Sequence, residues 1–327
     1  RTNGFQSYNR DLGFEYNLAS ADNFWTGSLF YANTISPLQK DKSFAQAAAL
    51  AYKDNNWTFG IKESWVGENY NPETGYVPRI NFFQVQTDAA KNFYPKDKTT
   101  NVFYTTFSAM SVSYWNNQGT YTDNTTYIAY DGTMKDRSTF GVYLSYDYVK
   151  LLYDFDATRM GNTALKKGTE HDWYALNMRY MSSPIKLFTY SLTSRFGGYY
   201  GQGWRTGITA DIGYRFQPYG SLSVAVDYND IVDVAIPGTE LTAAKKVSSN
   251  FWIIRPKIDI TFSNKLFFAT FFQLNQQTKN INLNARLQWR YKPASDLFLV
   301  YTDNYFPEIM QIRNRALVLK LNYWLNL

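Results

Sequence analysis

The chain has 327 residues, no cysteine, one histidine, 18% charged residues and a formal net charge of +6. These counts exclude a disulfide framework and zinc sites of the usual ligand types, and no cofactor is predicted. The basic residues are spread along the chain instead of forming a patch, so no nucleic-acid partner is predicted. No run of about 18 apolar residues occurs, so no helix is expected to span a membrane.

Aromatic residues are unusually frequent. The 28 tyrosines, 24 phenylalanines and 9 tryptophans make up 19% of the chain, although the mean hydropathy is only −0.42. Barrels of outer membranes concentrate aromatic side chains at both membrane–water interfaces, and only one face of each strand is apolar. This composition therefore favours a barrel wall over a soluble sheet.

A period of two begins near the start of the chain. Leu12, Phe14, Tyr16 and Leu18 alternate with polar residues, and "FAQAAALAY" (residues 44–52) reads as a strand of small side chains. The alternation returns in "RTGITADIGYRFQ", "SLSVAVDY", "NFWIIRPKIDITF" and "INLNARLQWRY". Only an extended strand separates apolar and polar residues in this way. The pattern predicts about seventeen strands of roughly nine to fifteen residues, long enough to cross a bilayer when tilted.

Connections of different length separate these strands. Short ones, such as "DNN", "SSP" and "PASD", alternate with long ones, such as "GENYNPETGYVP", "DATRMGNTALKKGTEH", "IPGTELTAAKK" and "PEIMQIRNR". This rhythm is typical of outer-membrane barrels, whereas a soluble β-sandwich has no reason to keep it. The predicted fold is an all-β, transmembrane, antiparallel up-and-down β-barrel in the outer membrane of a Gram-negative bacterium, surrounded by outer-membrane lipids.

The odd number of predicted strands indicates that the barrel begins before Arg1. Barrels of one bacterial chain normally have an even number of strands, so at least one strand is expected before Arg1. The prediction is thus a barrel of 18 or more strands that occupies all of residues 1–327. The start of that barrel, and any N-terminal periplasmic domain, would precede Arg1.

The closing "RALVLKLNYWLNL" is predicted to be the last strand. Its apolar face is expected to point at lipid, whereas Lys320, Asn322 and Asn326 would point to the interior. The lipid-facing residues are Leu317, Leu319, Leu321, Tyr323, Leu325 and Leu327.

Charged residues of both signs fall on the polar face of the predicted strands. If the basic ones line an open pore, they would favour anionic solutes. If they pair with the acidic ones, they would fill the interior, and the presence of both signs favours a plugged or narrow barrel. The residues assigned to the interior are Arg179, Arg195, Arg215, Arg255, Lys257, Arg286, Arg290, Lys320, Asp211 and Asp259.

Two other segments are candidate sites. The loop "GENYNPETGYVPR" is constrained by Gly67, Pro72, Gly75 and Pro78 before Arg79, and it could fold over the barrel mouth or remain a simple surface loop. The glycine-rich "RFGGYYGQGWR" (residues 195–205) fits an extracellular loop, whose tyrosines and Trp204 could stack on a sugar or contact a partner.

Two weaker candidates concern metal binding and catalysis. The oxygen ligands Asp227, Asn229, Asp230 and Asp233 form a weak calcium candidate, but the glycine and terminal glutamate of the best-known calcium loop are missing. His171, the only histidine, has no assignable serine partner, and no nucleophile elbow is visible. No catalytic residue is therefore predicted.

The segments Val66–Arg79, Leu287–Asn304 and the closing strand resemble a family of Bacteroidota outer-membrane proteins. Members of that family carry an N-terminal domain similar to family-nine carbohydrate-binding modules, followed by a C-terminal barrel of unassigned function. The resemblance is spread over most of the chain and implies the barrel, but no catalytic residues. The carbohydrate-binding-like domain is absent from residues 1–327, so a sugar-binding role does not carry over.

The function expected from the sequence is that of a structural subunit of a larger outer-membrane assembly, or of a plugged or narrow conduit. Other outer-membrane proteins are then possible partners. An open, porin-like channel for anionic solutes is the alternative, and an outer-membrane hydrolase is a weaker one.

Overall fold

The computed structural model describes residues 8–37, 41–73, 75–238 and 243–325. It contains 17 strands in one antiparallel sheet, and a single short 3-10 turn, Tyr200–Gln202, is the helical element of the described residues. The predicted fold class, an all-β up-and-down sheet of the transmembrane barrel type, is confirmed. The described part of the chain includes no helix with the length and apolarity needed to cross a membrane, and this finding does not extend to strands.

The strands are 10 to 17 residues long. In chain order they are β1 Arg10–Ala19, β2 Trp25–Ile35, β3 Phe44–Lys53, β4 Trp57–Val66, β5 Phe82–Phe93, β6 Val102–Trp115, β7 Tyr121–Met134, β8 Thr139–Lys150, β9 Glu170–Met181, β10 Phe188–Tyr199, β11 Gly203–Phe216, β12 Gly220–Ile236, β13 Lys245–Thr261, β14 Leu266–Asn275, β15 Asn280–Lys292, β16 Ser295–Phe306 and β17 Gln311–Asn322.

The chain divides into two compact units. The first comprises Arg1–Gly132, Val142–Phe155 and Lys166–Ala175, and the second comprises Thr133–Gly141, Asp156–Leu165 and Leu176–Leu327. Within the first unit β1 to β6 pair with their neighbours in sequence, and within the second β10 to β17 do the same.

The register keeps apolar side chains on one face of the wall. Ile212 lies opposite Val224, which in turn lies opposite Pro256, while the neighbouring Asp211 lies opposite Ala225 and then Arg255. Large apolar side chains on the first face are open to the surroundings: Ile212 is 53% exposed and Leu192 is 47% exposed. A wall with so much exposed apolar surface is stable in lipid and not in water. Such an apolar face suits the outer-membrane location that the sequence predicts.

Aromatic side chains form a continuous row along one edge of the first unit. Successive ring centroids lie 5.1–6.3 Å apart, each within the range of favourable aromatic pairing. The row, called here the loop-side belt, consists of Phe14, Tyr31, Phe44, Trp65, Phe83, Trp115, Tyr121 and Tyr148. A second group, the turn-side belt, consists of Phe24, Trp25, Tyr52, Trp57 and Phe59. Two aromatic girdles are the arrangement expected of a membrane-spanning wall.

The last strand differs from its prediction at its end. Leu317, Leu319 and Leu321 are 64–68% exposed on the apolar face of β17, but the strand ends at Asn322, not at Leu327. Its partner β16 begins at Ser295, so little backbone remains for pairing beyond Asn322. Tyr323 and Leu325 are exposed but lie outside the strand, and Leu327 lies outside the described residues. Every residue of β17, and also every residue of β1, is exposed.

The alternation of loop lengths holds only in part. Connections 67–81 and 151–169 are long, as predicted, but "PEIMQIRNR" contributes only residues 307–310 between two strands. The prediction of an extracellular loop for the glycine-rich segment 195–205 is also wrong. It forms the ends of β10 and β11, with only residues 200–202 between them. Strand bulges and glycines let the backbone pair further than the turn signals indicated.

Candidate functional site: a cavity lined by arginines

The charged residues predicted to face the interior share the polar face wherever the register is given. Their cross-strand partners are small, polar or aromatic, and Arg179 of β9 is flanked in sequence by exposed apolar residues, Met178 and Tyr180. The pairs are Arg195 with Gly207, Asp211 with Ser191, Arg215 with Ser221, Arg255 with Ala225, Lys257 with Ser223, Asp259 with Ser221, Arg286 with Ala269, Arg290 with Asp296 and Lys320 with Phe298.

Several of these charges pair with one another along the polar face. Arg255 contacts the carboxylate of Asp227 at 2.6 Å, and Lys257 contacts that of Asp259 at 2.8 Å. The guanidinium of Arg290 lies 3.3 Å from Asp296. Part of the basic surface is therefore already neutralised by the chain itself.

A cavity of about 340 Å³ lies on the polar face of β10 to β13, entirely within the second unit. Three arginines line it, Arg159, Arg195 and Arg205, together with Asp227 and Asn229. We call it the arginine cavity. A second cavity, of about 500 Å³, is lined by Asn264, Lys265 and residues 290–294, at the end of β15.

The hairpin of β10 and β11 leaves room for two of these arginines. Arg195 lies opposite Gly207, and Arg205 lies opposite Gly197, so neither guanidinium competes with a side chain across the strand pair. A Cβ atom at Gly207 would lie 3.6 Å from Asn229 Oδ1, 3.9 Å from Arg195 Cβ and 4.0 Å from Arg205 Nε. The absent side chain of Gly207 thus forms part of the space between the two arginines.

Fixed partners orient both side chains. Arg195 donates to the backbone carbonyls of Arg205 at 3.2 Å and Gly198 at 2.7 Å. Arg205 donates from Nε and Nη2 to the amide oxygen of Asn229, at 3.1 and 2.7 Å. The ring of Tyr199, which is buried, lies 5.8 Å from the Arg195 guanidinium and 5.5 Å from that of Arg205. Two cations therefore share one aromatic ring.

The third arginine comes from the loop between β8 and β9. One carboxylate oxygen of Asp156 accepts hydrogen bonds from the backbone and hydroxyl of Thr158, and the other accepts from the backbone of Gly161 and Asn162. Burial raises the pKa of Asp156, but these hydrogen bonds outweigh it and hold the pKa below the usual range. Thr158 is fully buried, and its carbonyl accepts a hydrogen bond of 3.2 Å from Ser249 of β13. The loop is therefore attached to the polar face beside the cavity.

In the first unit, described residues of the loop 67–81 lie against the polar face of the wall. Tyr70 is buried against Ala32 and Ala45, which lie on the polar face of β2 and β3. Further along the loop, Arg79 forms an ion pair of 2.7 Å with Asp123 and lies over the Tyr114 ring at 4.7 Å. Both ends of this loop are thus held against the wall.

The calcium candidate is not assembled. Asp227, Asn229, Asp230 and Asp233 all lie within β12, where successive side chains point to opposite faces, and Asp227 is paired with Arg255. Across the described ranges, no three His, Cys, Asp or Glu side chains come together to hold a metal ion.

The remaining candidates are His171 and the aromatic residues of the glycine-rich segment 195–205. His171 Nε2 lies 2.9 Å from the Thr169 hydroxyl at the start of β9. The aromatic residues of the glycine-rich segment diverge, because Tyr199 is buried while Trp204 is 51% exposed. They do not form one stacking surface.

The alternation of apolar and polar residues predicts Arg195 on the polar face. Arg205 lies on the same face. Arg159 lies outside any alternating segment, so the sequence pattern did not predict its position. It lies in a loop and reaches the cavity through a left-handed backbone conformation, with φ of 58°. The nearby Asp156 and Thr158 indicate a tight turn in the sequence, because Asp and Thr side chains hydrogen-bond to the backbone of such turns.

Comparisons with known proteins give a family and two distant structural similarities. No curated protein matches the chain. The ferric enterobactin receptor of Pseudomonas aeruginosa, solved as a mutant, is 6% identical, with a TM-score of 0.38, over 93% of this chain and 66% of the receptor. The siderophore receptor of Acinetobacter baumannii is 9% identical, with a TM-score of 0.40, over 97% of this chain and 67% of the receptor. Residues 4–235 match a domain of unknown function, DUF5916, so the chain belongs to the DUF5916 family.

Proposed function

We propose that this chain forms the wall of a narrow outer-membrane conduit that favours anionic solutes. The observation that carries the proposal is the attachment of loop 156–165, which contributes Arg159, beside Arg195 and Arg205 of the polar face. Rings and clusters of basic side chains lower the barrier for anions in pores. Movement would be passive, and the wall would supply only shape and charge.

The first unit supports narrowing independently. Loop 67–81 places the buried Tyr70 on the polar face of β2 and β3, where an open porin would leave water. Ion pairs such as Arg255 with Asp227 also occupy polar-face volume. These features favour a constricted conduit over the open, porin-like channel.

Planar-bilayer recording tests this proposal. We expect a small conductance whose reversal potential in a salt gradient indicates anion preference, and a weaker preference in Arg195→Gln. Arg286→Gln, which changes an arginine of β15 outside the arginine cavity, is the matched control. A wild-type protein that inserts but does not conduct would contradict the conduit.

A second candidate function is a structural subunit of a larger outer-membrane assembly. The exposed apolar side chains of β17, among them Leu317, Leu319 and Leu321, favour it, because a large exposed apolar face can pack against a partner protein. Gentle extraction followed by size-exclusion chromatography and mass spectrometry tests it. Stoichiometric outer-membrane partners would favour the assembly, and a lone species would favour the conduit.

The proposal includes no catalytic step. Hydrolysis of an ester or lipid by the purified chain, if lost in His171→Ala, would contradict it and favour the hydrolase alternative. The origin in Bacteroidota that the sequence resemblance implies remains a prediction.

A further inference from the structure

We infer that the arginine cavity binds a small solute carrying at least two negative charges on phosphate or carboxylate groups. This deepens the proposed function by naming the class of solute, and it rests on that function for its physiological meaning. The binding itself depends only on the local geometry of the second unit.

The first step concerns uncompensated charge. Arg205 donates only to the neutral amide oxygen of Asn229, and no carboxylate lies within ion-pair distance of Arg159 or Arg205 among the described residues. Arg205 is partly buried, and a guanidinium in such a position is costly without a counter-charge, whereas Arg159 is exposed. An anion in the cavity would supply that counter-charge.

The second step concerns the one acidic group that lines the cavity. Asp227 accepts a hydrogen bond of 2.7 Å from Thr209 and forms the 2.6 Å ion pair with Arg255. Its charge is therefore already balanced by a cation outside the lining. Arg159 and Arg205, which also line the cavity, therefore leave the space with an excess of positive charge.

The third step concerns the placement of Arg159. A non-glycine residue at φ of 58° is held in a sparsely populated backbone region, and such strain persists only where the surroundings impose it. Here the Asp156 carboxylate ties the turn on both sides of Arg159, and the Thr158 carbonyl is bound to β13. These contacts fix the backbone of Arg159 beside the cavity that its side chain lines.

The fourth step concerns size and chemistry. About 340 Å³ is near the lower end of small-ligand sites, large enough for a compact solute and its hydration. Guanidinium groups bind phosphate and carboxylate through paired, charge-assisted hydrogen bonds. Several arginines arranged around one small space match a solute with more than one oxyanion group better than a single chloride.

Calorimetric titration of the full, detergent-solubilised chain tests the inference, with inorganic pyrophosphate and citrate as probes and glucose as the neutral control. We expect saturable binding of at least one anionic probe and none of glucose. Arg159→Gln and Arg205→Gln should each weaken binding by about tenfold or more, because a charge-assisted contact is lost. Arg159→Lys should retain part of the affinity.

Two further variants separate electrostatics from folding defects. Asp227→Asn should tighten binding, because it removes the one negative charge of the lining. Gly207→Leu should abolish binding by filling the cavity while every charge remains. Arg286→Gln, on the same face but outside the cavity, should bind as the wild type does, and heat-modifiable gel mobility checks that each variant is folded.

The outcomes are distinguishable from those of the conduit experiment. Equal affinity in wild type, Arg159→Gln and Arg205→Gln would overturn the inference, as would the absence of binding by both anionic probes. Binding of pyrophosphate alone, or citrate alone, would support it and select between phosphate and carboxylate solutes. Binding without any conductance would support the anion site and contradict the conduit. Conductance without binding would support the conduit and contradict the anion site.

Discussion

The polar faces of two regions differ strongly although their apolar faces are alike. In β3 the polar face carries Ala45, Ala47, Ala49 and Ala51, and the adjoining loop contributes the uncharged Tyr70. In β10 to β13 the same face carries arginines and aspartates, and the adjoining loop contributes Arg159. Lipid constrains every strand on the outside in the same way, whereas the inside is free to vary. The chemistry specific to this protein is therefore expected on the polar face.

The largest effect expected is from a cation on the apolar face, in either region. Leu50→Arg and Ile258→Arg should each cost about 2–4 kcal/mol of folding free energy in lipid, because the charge enters the hydrocarbon. Leu50 lies in β3. Ile258 lies in β13 next to Lys257, whose charged side chain is on the polar face. Chemical unfolding from lipid vesicles measures the change.

The matched control for Leu50→Arg is Ala47→Arg, which places the same cation on the polar face of the same strand, opposite Ser64. It should cost much less. Equal losses in the two variants would mean that the faces have been assigned wrongly.

The next effect concerns the loop of the first region. Tyr70→Ala should remove a buried ring from Ala32 and Ala45 and cost up to about 3 kcal/mol. Hydrogen exchange of residues 67–81 should then become faster. Tyr76→Ala, in the same loop but 88% exposed, should leave exchange unchanged. Similar exchange in both variants would show that the loop does not depend on Tyr70.

The loop of the second region should depend on pH. Because the folded pKa of Asp156 lies below its ordinary value near 3.8, its contribution is complete above that value. It is lost only as the pH falls through the lower, folded pKa. Limited proteolysis near Arg159 should increase in that acid range, and Asp156→Asn should remove the pH dependence. Cleavage that rises equally in Asp156→Asn would assign the effect to another group.

The smallest effect is expected for an exposed pair in the same loop. Lys166 and Asp154 are 2.8 Å apart, but their side chains are 68% and 48% exposed. Exposed pairs contribute about 0–1 kcal/mol, so Lys166→Ala should change stability by less than about 1 kcal/mol in thermal or chemical unfolding. A clearly larger loss would mean that the pair helps to hold the loop that carries Arg159.

The strands and their faces could be predicted from the sequence because a period of two is a local signal that lipid makes strict. The polar-face position of Arg195 followed from it. Arg159 could not be placed, because its position depends on a left-handed backbone and on a hydrogen bond between Thr158 and Ser249, 91 residues apart. The end of β17 was also missed, since leucines continue beyond the last residue that β16 can pair.

The two aromatic belts have a consequence for the membrane itself. In β4, Trp57 of the turn-side belt and Trp65 of the loop-side belt are eight residues apart, or about 26 Å along the strand. Tilt of the strand shortens this span along the bilayer normal, so the wall matches a thin hydrocarbon layer. In a thicker bilayer the lipids around these strands would have to compress, and the cost of that mismatch would rise with every added ångström.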